Sequence, residues 1–340
     1  MSSDFGYVNA RVRGMSSRLM GDDAFGSALA APDFEAFTGL LASSPYASAF
    51  EEARSEYDGL RAVDRALANA FRATTRKMLA FADGAPGTMI AVLLRRNDVE
   101  DLKTVARLQH AKAQGQSPSD GLSDAIAGLG ELRSSVLEAM ASAADLPSAA
   151  QALGVTKHPL SSAFTRAARA YVQDGDLFAF EIALDRAAFA DLVEQSKRIG
   201  LRALTSYVQR EIDAANLRTA LKLAGRDQSA KGMFLPGGRE VNTELFDQIV
   251  ASGVEGLQRL RGVTFAEVAR ASDAAEAEQA IRAALDAGVR RGASGDPLGA
   301  GIVIRYLRER ATEAAKLRLL ARGSYYRVPR AQIEKELGHA

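Results

Sequence analysis

Apolar residues along the chain recur at intervals of three and four positions, and alternation with a period of two is hard to find. Spacing of this kind places apolar side chains on one face of an α-helix, whereas alternation is typical of a half-buried β-strand. Glycine- and proline-rich stretches interrupt the helical pattern at residues 84–87, 115–118, 225–238 and 292–295. The pattern therefore predicts an all-α protein, with residues 233–239 as a turn or short hairpin.

Two local signals mark expected helix starts. Thr264 followed by Glu267 has the spacing of a capping box, in which side chains and backbone N–H groups of the first turn satisfy each other. Asp296 before Pro297 places a capping residue ahead of a first-turn proline. We therefore expect helices to begin just after Thr264 and just after Asp296.

One helical segment recurs three times without gaps, at residues 95–107, 210–222 and 310–322. In each copy an arginine is followed by an acid, a leucine and two basic residues at fixed intervals. The arginine and acid positions are Arg95 and Asp98, Arg210 and Asp213, and Arg310 and Glu313. Repetition on this scale predicts related structural units.

A second echo supports the first pair of copies. Residues 45–50 read Pro-Tyr-Ala-Ser-Ala-Phe, and residues 159–164 read Pro-Leu-Ser-Ser-Ala-Phe. Amphipathic helices resemble one another in any protein. Here, however, two separate pairs of similar segments are separated by nearly the same number of residues, which favours true repeats. We therefore predict three related helical units of ordinary domain size, at residues 1–115, 116–229 and 230–340.

The repeated segment has one apolar face when it is placed on an ideal helix of about 100° per residue. The face consists of Val99, Leu102, Val105 and Ala106, then Ala214, Leu217, Ala220 and Leu221, then Ala314, Leu317, Leu320 and Ala321. Lys103 and Arg107 fall outside it, so we expect their charged heads to reach water.

Arg95 and Asp98 fall inside the apolar face, provided that the helix is continuous through Asn97. Buried charges must be paired and hydrogen-bonded, so one hypothesis is an internal salt bridge between the arginine and the acid of each copy. A second hypothesis is that the three copies line a common central surface and present polar anchors to a partner. The third is that Asp98 caps a helix that begins after Asn97. Under the first two hypotheses, Arg95, Asp98, Arg210, Asp213, Arg310 and Glu313 are candidate structural or interface positions.

The composition argues against several functional classes. Lys and Arg number 43 against 42 Asp and Glu, with the signs interspersed, so a nucleic-acid interface is not expected. The chain has no cysteine, which excludes disulfides and thiolate chemistry. The most apolar run, residues 89–94, is far shorter than the ~20 residues that a membrane-spanning helix needs. We therefore predict neither a transmembrane segment nor a signal peptide.

Candidate catalytic chemistry is sparse as well. His110, His158 and His339 are widely separated, and we expect each to be a surface or loop residue. The glycine-rich stretch 295–301 lacks the Lys-Ser/Thr pair of a phosphate loop, so we interpret it as a closely packed helix start. We therefore predict a protein without catalytic residues, metal, cofactor or small-molecule substrate.

Several segments together resemble a known family. The segments are residues 4–13 (DFGYVNARVR), 93–98 (LLRRND), 213–219 (DAANLRT), 237–239 (GGR), 296–299 (DPLG), 317–322 (LRLLAR) and 328–330 (VPR). In this order and spacing they resemble the C subunit of bacterial and archaeal V/A-type ATPases, which is related to the d subunit of the eukaryotic V-ATPase. The resemblance extends from residue 4 to about 336.

The resemblance implies a funnel-shaped, all-helical protein of three similar domains in a pseudo-threefold arrangement. It implies one copy in a hetero-oligomeric complex, peripheral at the cytoplasmic face of the membrane. One end would be seated on the membrane proteolipid ring, and the other would hold the D and F subunits of the central stalk. The role would be mechanical: without an active site or cofactor, the protein passes rotation between the ATP-driven or ATP-synthesising head and the ion-carrying ring.

The residues alone leave two alternatives of other classes. One is an enzyme whose carboxylate pairs, such as Glu51-Glu52 and Asp22-Asp23, meet in space, and the main one is a helical-repeat adaptor for an unrelated soluble partner. Helical solenoids, however, have uniform repeats of about 34 to 47 residues. The units predicted here are about 100 to 115 residues long and follow the N-terminal motif of residues 4–13, which favours the rotary-ATPase interpretation.

Overall fold

The computed structural model describes residues 5–116, 126–226, 230 and 232–338. Every regular element in these ranges is helical, which confirms the predicted all-α class. Residues 233–239 form turns rather than a hairpin. Asp4 of the N-terminal motif and His339 lie outside the described residues.

The helices fall into three runs along the chain. The first run is α1 (Gly6–Ser16), α2 (Asp22–Leu29), α3 (Phe34–Ala42), α4 (Ala47–Arg54) and α5 (Gly59–Phe81). The second is α6 (Gly84–Ala113), α7 (Ser134–Ser142), α8 (Leu146–Gly154), α9 (Ser161–Asp174) and α10 (Leu177–Ile199). The third is α11 (Arg202–Leu223), α12 (Thr243–Ser252), the 3₁₀-helices Gly253–Arg259 and Val268–Arg270, α13 (Ala274–Gly295), α14 (Gly301–Tyr325) and α15 (Arg330–Gly338). The three copies of the repeated segment lie within α6, α11 and α14.

Among the described residues, five helices begin with a side-chain cap. In each case a carboxylate or amide oxygen accepts a hydrogen bond from the backbone N–H three residues further on, which satisfies a donor that the helix leaves unpaired. The capping residues are Asp33, Asp145, Asp176, Asn242 and Asp273.

The predicted capping box at Thr264 and Glu267 is wrong. The Thr264 hydroxyl and N–H donate to the Glu240 carboxylate at 2.6 Å and 3.1 Å, so they do not cap a helix. Only the short 3₁₀-helix Val268–Arg270 follows.

The predicted helix start at Asp296 is also wrong, because α14 begins five residues later. Asp296 ends α13 and accepts the Gly299 N–H in a turn. The interpretation of the glycine-rich stretch as closely packed is confirmed at Gly301. A Cβ added there would lie 2.5 Å from the Gly292 carbonyl oxygen, so only glycine fits where α14 starts against α13.

The chain divides into two compact units. The major unit comprises Met1–Ala70, Gly84–Pro86 and Ile199–Ala340, and the minor unit comprises Phe71–Asp83 and Gly87–Arg198. Each has its own buried apolar core, and each is described separately below.

Within the minor unit, the repeated helix α6 belongs to a hydrophobic cluster, which we call the minor-unit cluster. The apolar face of α6 contributes Val99, Leu102, Val105 and Ala106. The helices α7 to α10 and the loops before them contribute Leu132, Leu137, Met140, Leu146, Ala149, Ala150, Leu153, Leu160, Phe164, Ala167, Ala168, Phe180 and Leu184. The repeated helix therefore packs against the helices that follow it in sequence.

Within the major unit, the repeated helices α11 and α14 each belong to a hydrophobic cluster. In the central cluster, Ala214, Leu217, Ala220 and Leu223 of α11 pack against the segments that follow, with Val241, Leu245, Phe246, Ile249, Leu257, Leu260, Phe265, Val268, Ala277, Ile281 and Leu285. In the terminal cluster, Leu317, Leu320 and Ala321 of α14 join Ile333 of α15 and the N-terminal residues Ala28, Phe37, Leu41, Tyr46, Phe50, Ala53, Ala62, Val63, Ala66 and Leu67. Here the repeated helix packs against the beginning of the chain.

The predicted apolar face is confirmed in all three copies. Leu102, Leu217 and Leu317 are at most 1% exposed. Leu221 packs against the central cluster from a partly buried position, and the other predicted members are buried.

Candidate functional site

The first repeated acid, Asp98, is fully buried in the middle of α6. Its carboxylate accepts the backbone N–H groups of Glu131 and Leu132, each at 2.9 Å. The Nε2 atom of His158 lies 3.3 Å from Asp98 Oδ2. Asp98 therefore fastens two loops to α6, the one that leads into α7 and the one that leads into α9.

The second acid, Asp213, has an equivalent position in α11. It accepts the backbone N–H groups of Arg239, Glu240 and Val241 at 2.9–3.0 Å, in the loop that leads into α12. Burial raises the pKa of Asp213, and the three N–H donors partly offset this effect. The next loop is held indirectly, because the Glu240 side chain accepts hydrogen bonds from Thr264.

The third acid, Glu313, lies in α14 and is also buried. Its carboxylate accepts the Met20 N–H at 2.9 Å, in the loop that leads into α2, and the Tyr46 hydroxyl at 2.6 Å, in the loop that leads into α4. Burial is the largest cause that raises the pKa of Tyr46, so this hydroxyl stays protonated and donates to the carboxylate. We call each of these three arrangements a loop clamp.

Two glycines allow the loops to approach their carboxylates. A Cβ at Gly130 would lie 2.1 Å from Asp98 Oδ1, and a Cβ at Gly238 would lie 2.1 Å from Asp213 Oδ1. Any side chain at either glycine would therefore have to displace a carboxylate that buried backbone donors hold in place.

The predicted salt bridge between arginine and acid forms in only one of the three copies. Arg310 donates to Glu313 Oε1 at 2.6 Å, and its guanidinium lies 4.5 Å from the centre of the Tyr46 ring, where it also contacts the hydroxyl. In the other two copies the prediction is wrong, because backbone N–H groups of the loops occupy the carboxylate. Since α6 is continuous from Gly84 to Ala113, the hypothesis that Asp98 caps a helix start is wrong as well.

The other two arginines have different surroundings. Arg95 pairs with Glu131 at 2.6 Å and with Asp191 at 2.5 Å. Burial opposes its charge, but these two carboxylates outweigh burial and raise the pKa of Arg95. Arg210 packs against Gly288, and its buried Nε has no hydrogen-bond partner among the described residues. Burial and the nearby Arg291 lower the pKa of Arg210.

The first of the two basic residues in the repeated segment also has an equivalent partner in each copy. The partner is an acid on the helix that comes just before the next repeated helix along the chain. The pairs are Lys103 with Asp185 of α10 at 2.6 Å, Arg218 with Glu278 of α13 at 2.9 Å, and Arg318 with Asp64 of α5 at 3.4 Å. The expectation that the Lys103 head reaches water is therefore wrong, since its side chain is only 10% exposed. Arg107 is 43% exposed and pairs with Glu181.

Asp98, Glu131 and His158 are the one group of potential metal ligands found among the described residues. Three contacts favour hydrogen bonding over metal binding. The Asp98 oxygens accept backbone N–H groups, and Glu131 is paired with Arg95. The Leu160 N–H lies 3.3 Å from His158 Nδ1 and Nε2 lies 3.3 Å from Asp98 Oδ2, so both ring nitrogens already face a hydrogen-bond partner. We therefore interpret this group as part of the first clamp.

Three members of the clamps, namely Tyr46, His158 and Glu240, were not predicted from the sequence. His158 was expected to be a surface or loop residue; it lies in a loop, the one that leads into α9, but it is buried there. His110 is half-buried and hydrogen-bonded to the Tyr171 hydroxyl at 2.6 Å. The echo between residues 45–50 and 159–164 was the available signal, because Tyr46 lies within it and His158 directly precedes it.

None of the described helices is long and apolar enough to cross a membrane.

Comparison with known proteins gives one family over nearly the whole chain. The family model described as ATP synthase (C/AC39) subunit matches residues 8–336. This range includes the three repeated helices and all three clamps.

Individual relatives agree with the family model. The chain is 34% identical to the C subunit of the V-type ATP synthase of Deinococcus radiodurans over 337 residues, which cover 99% of this chain and 92% of that one. It is 34% identical to the C subunit of the V-type ATP synthase of Thermus thermophilus, with 99% of both chains covered. It is 26% identical to the C subunit of the A-type ATP synthase of Haloferax volcanii, with 97% and 96% covered. A match of this extent to relatives in bacteria and archaea means that this chain belongs to the ATP synthase (C/AC39) subunit family.

Proposed function

We propose that this chain is a non-catalytic subunit of a V/A-type rotary ATP synthase or ATPase. The observation that carries the proposal is the family match that extends from residue 8 to residue 336. The relatives from Thermus and Haloferax, which are named as C subunits of V-type and A-type ATP synthases, support it because they align over 99% and 97% of the chain.

Within that complex, we propose a mechanical role. The protein would link the central stalk, made of the D and F subunits, to the membrane proteolipid ring, and would pass rotation between them during ion transport or ATP synthesis. A part that carries torque has to resist deformation. The clamps support this role, because buried carboxylates fasten loops to long helices in close-packed surroundings that deform little.

The predicted division into three similar units remains a proposal. The packing of the repeated helices suggests where each unit begins and ends. Each cluster combines one repeated helix with a set of other helices, and each clamp holds loops of the same set. We propose units that begin at α6, α11 and α14, with the last one completed by α2 to α5 from the other end of the chain. The pseudo-threefold, funnel-shaped arrangement of these units remains a prediction.

For the six repeated charged residues we propose structural roles. Asp98, Asp213 and Glu313 are at most 4% exposed, and they accept hydrogen bonds from within their own unit. A partner would have to break these bonds to reach the carboxylates, and breaking a buried polar network is costly. We therefore prefer the structural hypothesis to the interface hypothesis for the acids.

Co-expression with the other rotor subunits tests the proposed function. We expect the chain to co-purify with the D and F subunits and, in detergent, with the proteolipid ring, at one copy per complex. If the chain associates with neither the stalk subunits nor the ring, the mechanical role is overturned. Association with only the stalk or only the ring would contradict a link between them.

The proposed position at the cytoplasmic face of the membrane depends on the ring rather than on lipid. We therefore expect the purified chain to remain at the bottom of a flotation gradient with neutral liposomes, and to float with liposomes that contain the ring. Strong flotation with neutral lipid alone would contradict this position.

A further inference from the structure

A pocket of about 270 Å³ lies in the major unit between α13, α14 and the segment that leads into α2. The residues that line it include the apolar side chains of Phe25 and Val289. They also include four cationic side chains, those of Arg290, Arg305, Arg308 and Lys316. The space is large enough for a small anionic group.

The carboxylates that line this pocket are already engaged elsewhere. Asp286 accepts a hydrogen bond from Arg308 at 2.8 Å, and Glu313 belongs to the third clamp. Glu309 lies 3.5 Å from Arg305, which is long for a charge-assisted hydrogen bond. The lining acids thus neutralise only part of the positive charge.

Three of the cations have donors to spare. Arg290 and Lys316 form no ion pair with any described residue, and Lys316 contacts only the face of Phe25, at 5.7 Å. The Nε atom of Arg305 is buried and forms no hydrogen bond in the described parts of the chain, although it lies 3.5 Å from Glu309 Oε1 in an ion pair. A buried N–H without a hydrogen bond is costly, so a closer acceptor from a ligand would stabilise the site.

We propose that this pocket binds a phosphate group, with Arg290, Arg305 and Lys316 as its ligands. A phosphate offers several acceptor oxygens to converging donors, and arginine is well suited to bind it. The Thr312 hydroxyl lines the same pocket and can donate as well. The phosphate belongs to a soluble molecule or to a lipid headgroup, and the experiment below separates these two sources. The inference does not depend on the proposed mechanical role.

Isothermal titration of the full-length protein with inorganic phosphate and with glycerol phosphate, in about 0.15 M NaCl, tests the soluble source. Sedimentation with phosphatidylglycerol vesicles, compared with phosphatidylcholine vesicles, tests the lipid source. We expect saturable binding in one of these two experiments. Arg290→Gln and Lys316→Gln should each weaken this binding about tenfold, because each variant removes one charge-assisted hydrogen bond. Arg291→Gln is the matched control, because it removes the same charge from the same helix outside the pocket.

Binding of a soluble phosphate that the two pocket variants weaken supports the proposal and identifies the soluble source. Retention on phosphatidylglycerol vesicles alone, again weakened by the pocket variants, supports it and identifies the headgroup. Absence of saturable binding in both arms overturns the proposal. Equal loss in Arg290→Gln and Arg291→Gln overturns it too, since only the net charge would then matter.

Discussion

Glu313 Oε1 lies 2.6 Å from the hydroxyl of Tyr46, although the two residues are 267 positions apart in sequence. The bond joins the long helix α14 to the loop that leads into α4. The same carboxylate holds the Met20 N–H through its other oxygen. The terminal cluster is thus secured by one acid that binds two loops near the opposite end of the chain.

The first prediction concerns this bond. Tyr46→Phe keeps the ring beneath Arg310 but removes the hydroxyl donor from a fully buried carboxylate. We expect the free energy of unfolding to fall by about 1–3 kcal/mol, the usual range for a hydrogen bond to a buried charged group. Urea denaturation followed by far-UV circular dichroism measures the change.

Tyr326→Phe is the matched control for this variant, because Tyr326 is 65% exposed and its hydroxyl forms no hydrogen bond with any described residue. Its free energy of unfolding should remain within about 0.5 kcal/mol of the wild-type value. Equal stability of both variants would show that the hydroxyl of Tyr46 does not support the clamp.

The second prediction concerns the glycines beside Asp98 and Asp213. Gly130→Ala and Gly238→Ala each introduce a Cβ that overlaps a carboxylate oxygen at 2.1 Å. The carboxylates cannot move without losing buried N–H bonds, so each variant should lose about 2–4 kcal/mol of unfolding free energy. Thermal and urea denaturation of both variants measure this loss.

Gly26→Ala provides the comparison, because a Cβ at this position in α2 meets nothing within 4 Å. Alanine is the better helix former, so this variant should be neutral or about 0.5–1 kcal/mol more stable. If Gly130→Ala and Gly238→Ala behave like Gly26→Ala, the carboxylates are less firmly held than the geometry indicates.

The third prediction concerns pH and Asp101, one turn after Asp98. Burial raises the pKa of Asp101 from 3.8 to about 6, and the N–H groups of Ala127 and Gly128 partly offset this effect. Because the folded protein then binds a proton more tightly than the unfolded chain, Asp101 lowers the free energy of unfolding as the pH rises from about 4 to about 6. The contribution amounts to about 3 kcal/mol at most, given 1.36 kcal/mol per pKa unit.

Asp101→Asn removes this titration. The difference in unfolding free energy between variant and wild type should therefore shift in favour of the variant as the pH rises from about 4 to about 7. Urea denaturation across this range measures the difference. A difference that does not change with pH would show that Asp101 titrates at its ordinary value.

The sequence was sufficient to predict the helical class and the apolar face of the repeated helix. Leu102, Leu217 and Leu317 are recognisable because a helix repeats its environment every three to four residues. The regular spacing also located the three buried acids.

The partners of those acids could not be predicted, for a physical reason. Asp98 and Asp213 are held by backbone N–H groups, which every residue except proline carries and which leave no mark on the sequence. We therefore predicted the nearest charged side chain as the partner of each acid, and this was correct only for Arg310 and Glu313. The capping box predicted at Thr264 is wrong for a similar reason, because the Thr264 hydroxyl donates to Glu240, which is distant in sequence.

The last prediction separates the structural from the interface hypothesis for Asp98, Asp213 and Glu313. Replacing each acid by alanine leaves two or three buried donors without an acceptor, so we expect a loss of about 2–5 kcal/mol of unfolding free energy. Replacement by asparagine or glutamine keeps one acceptor oxygen and should yield enough folded protein for binding measurements. If the acids are structural, the folded fraction of each variant binds the D and F subunits and the proteolipid ring with wild-type affinity. Glu267→Ala, at an exposed position directly before the 3₁₀-helix Val268–Arg270, controls for the loss of one negative charge. Wild-type stability combined with weaker binding per folded molecule would instead make these carboxylates contacts for a partner, since a buried clamp cannot be lost without a cost in stability.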